Sequence, residues 1–574
     1  MRFVKWRRML LYPTPWLACV KSLAAQLGFI LALAVIPSIG FAQQLPAPAQ
    51  PRPPLAPRPE LPAVEAPEIQ LVPGEEKAPP GAQQVFVVLK GVVIEGATVY
   101  STSELKETYQ DLIGQQVPLA RVFAIADQIQ EKYRADGYVL TRVIVPAQSV
   151  EDGVFRLRVV EGFINSVRVE GEVGPVKKRI EAYLARVIGK RPVREQDLER
   201  YLLLSNDIPG LRAVGVLRAG AGETGASELV VQVERKPYAG FVLVNNRGSR
   251  FTGPERAVLS VSENSSTALG EKVEGFFLNT LFNDEQRYGE LSYQQLLGNE
   301  GLTVKLSAGY GPSEPGFTLE PFDVETESLY VDANVSYPLI RSRGQNLYLD
   351  AGFQVLDAKV DVLGDTTSRD RLRLFYVDAT YDFSDRFRGQ SLVGLGLRQG
   401  VDAFGATEEG SDNLSRAEGV PDFTTLNLKA SRYQAFTEKM GVYAAGIGQF
   451  AFNTLLSDAE FRVGGEQFGR GYDPSELAGD HGLGLTAELQ YTETPPFTFW
   501  DKIQGYGYYD LGVVWNRDGD AEERASLASA GLGIRNQFLN NLFADLEIAF
   551  PLTREVGTRG DRDPRFFFQV LARF

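Results

Sequence analysis

Leu329-Tyr330-Val331-Asp332-Ala333-Asn334-Val335-Ser336-Tyr337 carries an apolar side chain at every odd position and a plainly polar one at three of its four even positions. Successive side chains of a β-strand point to opposite faces, so this stretch has one greasy face and one wet face. Leu302 to Tyr310, Leu347 to Phe353, Leu485 to Tyr491 and Leu542 to Phe550 behave the same way. Period two over about ten residues, with Thr, Lys, Asp, Glu or Gln on the second face, is the pattern of a transmembrane antiparallel β-barrel. A soluble sandwich also alternates, but it buries the apolar face and shows the polar one to water. The number of such stretches, their interface-type aromatics and the amino-terminal segment described below favour a membrane. Strands are expected near residues 239, 256, 271, 286, 302, 328, 346, 373, 390, 424, 440, 482, 503, 527, 542 and 566, about sixteen in all, within residues 237–574. An even number lets the first and last strands pair and removes the open edge.

Composition agrees with strands rather than helix bundles. The 574 residues include 57 Gly, 34 Phe and 23 Tyr but only 3 Met, and 44 % are hydrophobic, yet the mean hydropathy is −0.14. A helical membrane protein would be more apolar, whereas a barrel shows lipid only every second side chain. With 59 basic and 73 acidic residues the net charge is −14, which argues against a nucleic-acid partner, since that needs a basic footprint.

Residues 1–42 read as a secretory signal. Arg2, Lys5, Arg7, Arg8 and Lys21 precede an apolar run from Leu27 to Ile36, and Gly40-Phe41-Ala42 ends in a small residue suited to cleavage. That run is too short to span a bilayer. The one Cys, Cys19, falls inside the signal, so no disulfide or thiol chemistry is expected of the mature chain. Residues 43–84, from Leu45-Pro46-Ala47-Pro48 past Pro79-Pro80, form a Pro-rich tether. Proline fixes φ and removes a donor, which keeps such a segment extended and semi-rigid.

Two small α/β units follow. In residues 85–163 a strand from Phe86 to Glu95 ends at Gly96, Ser103 caps a short helix toward Leu112, and a second helix runs from Leu119 to Ala135. Val122, Ile125, Ala126, Ile129 and Tyr133 line one face of that helix. Strands Val139 to Val145 and Val154 to Val160 complete a β-α-α-β-β order. Residues 164–236 repeat it, with a strand from Ile164, helices Val176 to Ile188 and Glu195 to Leu204, and a hairpin of Leu211 to Arg218 with Leu229 to Glu234. Two like units in tandem suggest duplication of one module.

Several words in these segments resemble the two-partner secretion transporters, the TpsB family of haemolysin and filamentous-haemagglutinin exporters. They are Ile94-Glu95-Gly96, Tyr133-Arg134-Ala135-Asp136-Gly137-Tyr138, Pro146-Ala147-Gln148 and Val159-Val160-Glu161-Gly162, which resemble the family's first POTRA domain, and Asn206-Asp207-Ile208-Pro209-Gly210, which resembles its second. In the barrel, Phe461-Arg462-Val463-Gly464-Gly465 leads to Gly469-Arg470-Gly471-Tyr472, similar to a family loop that folds back into the lumen. Tyr509-Asp510-Leu511-Gly512 is similar to the motif that receives the loop's arginine. The resemblance implies a loop-to-barrel lock made by Arg470, Gly471, Tyr472, Asp510 and Gly512, for which the planar guanidinium fork suits a carboxylate. It also implies that the terminal aromatic, Phe574, serves as a barrel-assembly signal. Gly469 stands where the family has Val, which predicts a looser loop tip. The Pro-rich segment is a poor helix former, which argues against the plug helix common in the family.

The resemblance further implies an outer-membrane transporter with periplasmic amino-terminal domains. Its partners would be a secreted protein (a cytolysin, an adhesin or a contact-dependent toxin), outer-membrane lipids and the barrel-assembly machinery. No enzyme activity, metal or cofactor is expected. One histidine, His481, and no mature cysteine leave little for metal or nucleophile chemistry; His481, at the end of the long loop, is expected at the surface. Gly220-Ala221-Gly222-Glu223-Thr224-Gly225 matches a dinucleotide pattern, but a strand follows where a helix is needed, so a hairpin turn is expected. The runner-up is an outer-membrane insertase of the BamA or TamA type, which resembles this chain at Arg470 but carries more POTRA modules and lacks the Pro146-Ala147-Gln148 word. A passive porin or receptor leaves the two periplasmic domains unexplained, and an outer-membrane hydrolase lacks the residues it would need.

Overall fold

The structure, a computed structural model, describes residues 78–149, 152–517 and 524–574. The expected signal segment and residues 43–77 of the tether lie outside the described residues.

The first unit comprises β1 (Phe86–Val88), β2 (Gly91–Glu95), α1 (Thr102–Lys106), β3 (Gln116–Pro118), α2 (Ala120–Ala135), β4 (Arg142–Ile144) and β5 (Val154–Val160). Val122, Ile125, Ala126, Ile129 and Tyr133 of α2 are all buried, as their spacing predicts. They pack on Phe155, Leu157 and Val159, every second residue of β5. The expected single strand from Phe86 to Glu95 is broken, because its halves pair with different partners: β1 runs antiparallel to β3 and β2 parallel to β5. At the break, the Leu89 N–H donates to the Gln115 carbonyl and the Lys90 N–H to that of Gly153. Ser101, not Ser103, caps α1, in a reciprocal capping box with Glu104.

Glu161 holds this unit together. Its carboxylate accepts the Thr98 N–H (2.7 Å), the Val99 N–H (3.1 Å), the Tyr133 hydroxyl (2.8 Å) and the Thr98 hydroxyl. Burial pushes its pKa up, but the Thr98, Tyr133 and Val99 donors outweigh burial and hold it below the ordinary 4.5. Because the folded-state pKa is the lower one, the contribution to stability is complete above 4.5 and is lost as the pH falls through the folded value. Glu161→Gln is therefore expected to lower the Tm of residues 85–236 at pH 7 by roughly 2–4 °C, the equivalent of about 1 kcal/mol. The gap should narrow toward pH 3, and a gap independent of pH, followed by circular dichroism, would contradict the account.

The second unit holds β6 (Phe163–Gly171), α3 (Lys177–Leu184), α4 (Glu195–Asn206), β7 (Leu211–Ala219) and β8 (Ala226–Arg235). Its sheet order is β6-β8-β7, and the first unit's is β2-β5-β4; in each, the first strand runs parallel to the last. Gly220 to Gly225 is the β7–β8 hairpin turn. The units join through the Tyr-Arg-Ala-Asp-Gly-Tyr word: the Tyr138 hydroxyl accepts from Arg194 (3.0 and 2.9 Å), and the Gly137 carbonyl from the Glu195 N–H.

Sixteen strands then close a barrel: β9 (Tyr238–Asn245), β10 (Arg256–Asn264), β11 (Lys272–Thr280), β12 (Arg287–Leu297), β13 (Leu302–Ser313), β14 (Val324–Arg341), β15 (Gln345–Val362), β16 (Asp365–Ser384), β17 (Gly389–Gly400), β18 (Thr424–Ala435), β19 (Met440–Ala451), β22 (His481–Glu493), β23 (Trp500–Trp515), β24 (Arg524–Phe538), β25 (Leu542–Pro551) and β26 (Arg565–Arg573). The short hairpin β20 (Phe461–Val463) and β21 (Leu477–Gly479) lies within the loop 452–480. Every barrel neighbour is antiparallel, and β26 pairs with β9. Leu329, Val331 and Val335 are exposed on the outer wall, whereas Asp332 and Asn334 reach Tyr376 across the lumen face. Exposed Leu, Val and Phe recur around the outer wall; so continuous an apolar surface needs lipid against it.

The second unit sits on the barrel rim through the Asn206-to-Gly210 word. Arg341 grips Asp207 with two bonds (2.9 and 2.7 Å), the Ser265 hydroxyl donates to the Pro209 carbonyl (2.7 Å), and Arg343 pairs with Glu199 and Glu195. Leu296 of β12 is part of the second unit's own apolar core. The rim that touches this unit is made of the turns at 264–271, 298–301 and 338–345, so the long loops leave from the opposite end of the barrel.

Candidate functional site: a loop pinned inside the barrel

The loop 452–480 leaves β19 at the end of the barrel away from the small units and turns into the lumen. Glycines clear its path along the wall. A Cβ on Gly512 would meet Val463 at 2.8 Å, one on Gly482 would strike the Phe461 ring, and one on Gly471 would meet the backbone N of Pro551 at 3.0 Å. At the tip Gly469 has φ +99°, a left-handed conformation that Val does not adopt, and its N–H donates to Asp510 (3.2 Å). The expectation of a looser tip is thus corrected: glycine here tightens the turn.

Arg470 follows, with only 2 % of its surface exposed. Its Nε and Nη2 donate to the two oxygens of Asp510 (3.0 and 2.9 Å), its own N–H adds a bond to the same carboxylate (3.0 Å), and Nη1 reaches Glu488 (2.9 Å). The Thr486 hydroxyl accepts from Nη2 (3.0 Å) and donates to Asp510 (2.7 Å). The guanidinium lies 3.2 Å from the centre of the Tyr508 ring, a cation over the negative face. Glu547 stands at 3.8 Å. Glu488 also pairs with Arg535 (2.7 Å) and Glu547 with Arg247 (3.0 Å), so three carboxylates face three guanidiniums. Balanced in this way the cluster can stay out of water; with one member missing it cannot. The guanidiniums occupy the carboxylate oxygens, and among the described residues no group of three or more His, Cys, Asp or Glu is arranged to hold a metal ion.

The other expected residues also come together here. The Tyr472 hydroxyl donates to the Ala528 carbonyl (3.0 Å) and accepts the N–H groups of Thr553 and Arg554 (3.2 and 3.3 Å), tying the tip to β24 and to the loop after β25. Phe574 stands apart, at the seam between β26 and β9. Glu488, Thr486, Glu547, Tyr508, Arg535 and Arg247 complete the site without having been foreseen. His481 is half-buried at the start of β22, with its Nδ1 accepting the Ala451 N–H (3.1 Å) and its ring against Phe450.

Substituting Gly512 by Val should push the loop off the wall at an overpacking cost of about 1–3 kcal/mol. The expected readout is protease cleavage within residues 461–479 of the intact membrane protein, where the unsubstituted chain resists.

Residues 225–536 match the family described as haemolysin secretion/activation protein ShlB/FhaC/HecB, and residues 87–162 match a POTRA domain of ShlB type. The heme/hemopexin transporter protein HuxB of Haemophilus influenzae is 21 % identical over 466 residues, covering 79 % of this chain and 81 % of that one. Among solved structures, CdiB from Escherichia coli superposes with a TM-score of 0.72 at 17 % identity over 89 % of this chain and 94 % of that one. BamA from Haemophilus ducreyi, lacking POTRA domains 1–3, superposes with a TM-score of 0.51 at 13 % identity over 85 % of this chain and 100 % of that one. Both superpositions are likenesses of fold, and the family match, which spans more than half of the chain, favours transport over insertion. The chain belongs to the haemolysin secretion/activation family and is an outer-membrane transporter of two-partner secretion, with its amino-terminal domains in the periplasm.

Proposed function

We propose that the two periplasmic units, the second a POTRA domain like the first, capture one secreted partner protein in unfolded form and feed it to the barrel, where the Arg470 loop acts as a releasable lock. The observation that carries this reading is the loop tip held in the lumen by a desolvated, charge-balanced cluster. Without Arg470, Asp510 loses its guanidinium partner and Glu488 and Glu547 keep only Arg535 and Arg247, so the loop has two well-separated states, seated or out. The cargo class is a cytolysin, an adhesin or a contact-dependent toxin. Without a nucleotide site in the sequence, folding of the cargo outside the cell supplies the drive. No catalytic step is assigned to the chain.

Capture uses the edge of the first unit. In the order β2-β5-β4, β2 is an edge strand, with Val93 44 % exposed. An extended peptide can add to such an edge through backbone bonds, with apolar side chains setting preference. Residues 85–236 are expected to retain the amino-terminal part of the secreted partner in a pull-down, and Val93→Asp to weaken that binding by about tenfold, or ~1.4 kcal/mol. Absence of binding to any candidate partner would favour the units as spacers.

A further inference from the structure

A second, largely covered arginine, Arg416, ties the same loop down at its base. Asp480, the last residue before β22, is fully buried. It accepts both Nη1 and Nη2 of Arg416 (2.7 and 3.2 Å), the Leu455 N–H (2.7 Å) and the Arg517 N–H (2.8 Å). Arg416 comes from a different loop, residues 401–423, and also pairs with Glu460 (2.9 Å) and donates to the Leu455 carbonyl (2.9 Å). Its neighbour Ser415 continues the stitch. The Ser415 N–H (3.1 Å) and hydroxyl donate to Asp370 on β16, and the same hydroxyl oxygen accepts the Ser457 N–H (2.9 Å). Two adjacent residues thus join loop to loop, and both loops to the wall.

Beneath this stitch the lumen face departs from its own rule. The register sets Leu374 in one row with Gln354 and Asp332, and Leu372 opposite Leu356, so these leucines point inward, where the barrel is otherwise polar. Phe423 and Val420 of one loop and Leu455 and Leu456 of the other pack against them. Inward leucines in a water-filled wall would cost free energy unless covered, and these two loops cover them.

We infer that Arg416, Asp480 and Glu460, with the seat formed by Leu372 and Leu374, form a second latch that blocks the β15–β19 side of the barrel mouth independently of the Arg470 lock on the β22–β25 side. Arg416 is a positioning residue in this scheme: it holds the base of the loop while Arg470 holds the tip. The inference rests on the transport reading but is tested without cargo, so that its failure leaves capture and secretion as separate questions.

The test is ion conductance of the purified full-length chain in planar lipid bilayers bathed in potassium chloride, using variants that retain heat-modifiable mobility as assembled barrels. Arg470→Ala alone is expected to open only part of the lumen. Adding Arg416→Ala should raise the time-averaged conductance by about tenfold or more over Arg470→Ala, since independent latches multiply in the opening equilibrium. Leu374→Gln, which makes the seat polar but leaves the strand backbone untouched, should do the same in the Arg470→Ala background, and it decides the question if Arg416→Ala does not assemble. A conductance no greater than that of Arg470→Ala alone would overturn the second latch.

Discussion

Arg470→Ala is expected to cut secretion of the partner protein by about 100-fold while leaving a folded, heat-modifiable barrel. The wall's ladder of backbone bonds does not depend on this side chain, so assembly should survive. The cluster should not: Asp510, Glu488 and Glu547 would face only Arg535 and Arg247. Removing one partner of a buried ionic group costs about 3–5 kcal/mol, and at ~1.4 kcal/mol per decade this shifts the seated loop's population by roughly two to three and a half decades. The loop then leaves its seat so that water can reach the carboxylates, and transport loses the closed state it must return to. Arg470→Lys restores the charge but cannot bind both oxygens of Asp510 and reach Glu488 together, so at most part of the activity should return. Asp510→Ala combined with Arg470→Ala should be little worse than either alone, because the two residues act through one contact. Partner protein in the culture medium, measured against the amount of assembled barrel, is the readout. Wild-type export by Arg470→Ala would remove the loop from the mechanism.

The barrel was legible because its rule is local. Alternation from Leu329 to Tyr337 needs only the pleat and a solvent on each side, and the same reading places all sixteen strands. The lock was legible in part. Glu488 and Glu547 lie on the wet phase of stretches recognised as alternating, Leu485 to Tyr491 and Leu542 to Phe550, but nothing in one strand says that barrel curvature aims both at a loop residue. The Arg416–Asp480 pair spans 64 positions between two loops without any period, so no spacing argument reaches it. In the first unit, the strand from Phe86 to Glu95 reads as continuous because β propensity does not register a change of partner at Leu89 and Lys90. Gly469 shows the opposite failure, in which a substitution read as loss of packing supplies a backbone conformation that only glycine holds cheaply.

Deleting Phe574 is expected to reduce assembled barrel in the outer membrane by roughly tenfold, and the cause lies in the seam. Fifteen of the sixteen strand pairings join strands that follow one another around the wall in chain order; the last, β26 with β9, must bring the two ends of the domain together. It is also short, with five residue pairs from Gln569 with Asn245 to Arg573 with Phe241. Phe574 extends it: its N–H donates to the Gly240 carbonyl and its carbonyl accepts the Gly240 N–H, both at 3.0 Å. Its ring lies over Gly240, where a Cβ would come within 2.6 Å of it. Each bond contributes only about 0.5–1.5 kcal/mol where water can replace it, but a backbone group left open against lipid costs several. Phe574→Ala separates the two roles, since it keeps the backbone pair and removes the ring. If Phe574→Ala fails as the deletion does, the assembly machinery reads the aromatic side chain. If it assembles while the deletion does not, the two seam bonds carry the effect. Gly240→Val keeps Phe574 but drives a side chain into its ring and into the Ser260 carbonyl, 2.5 Å away, so it should assemble poorly on either account. Heat-modifiable barrel at wild-type levels in the deletion variant would show that closure does not need the terminal residue at all.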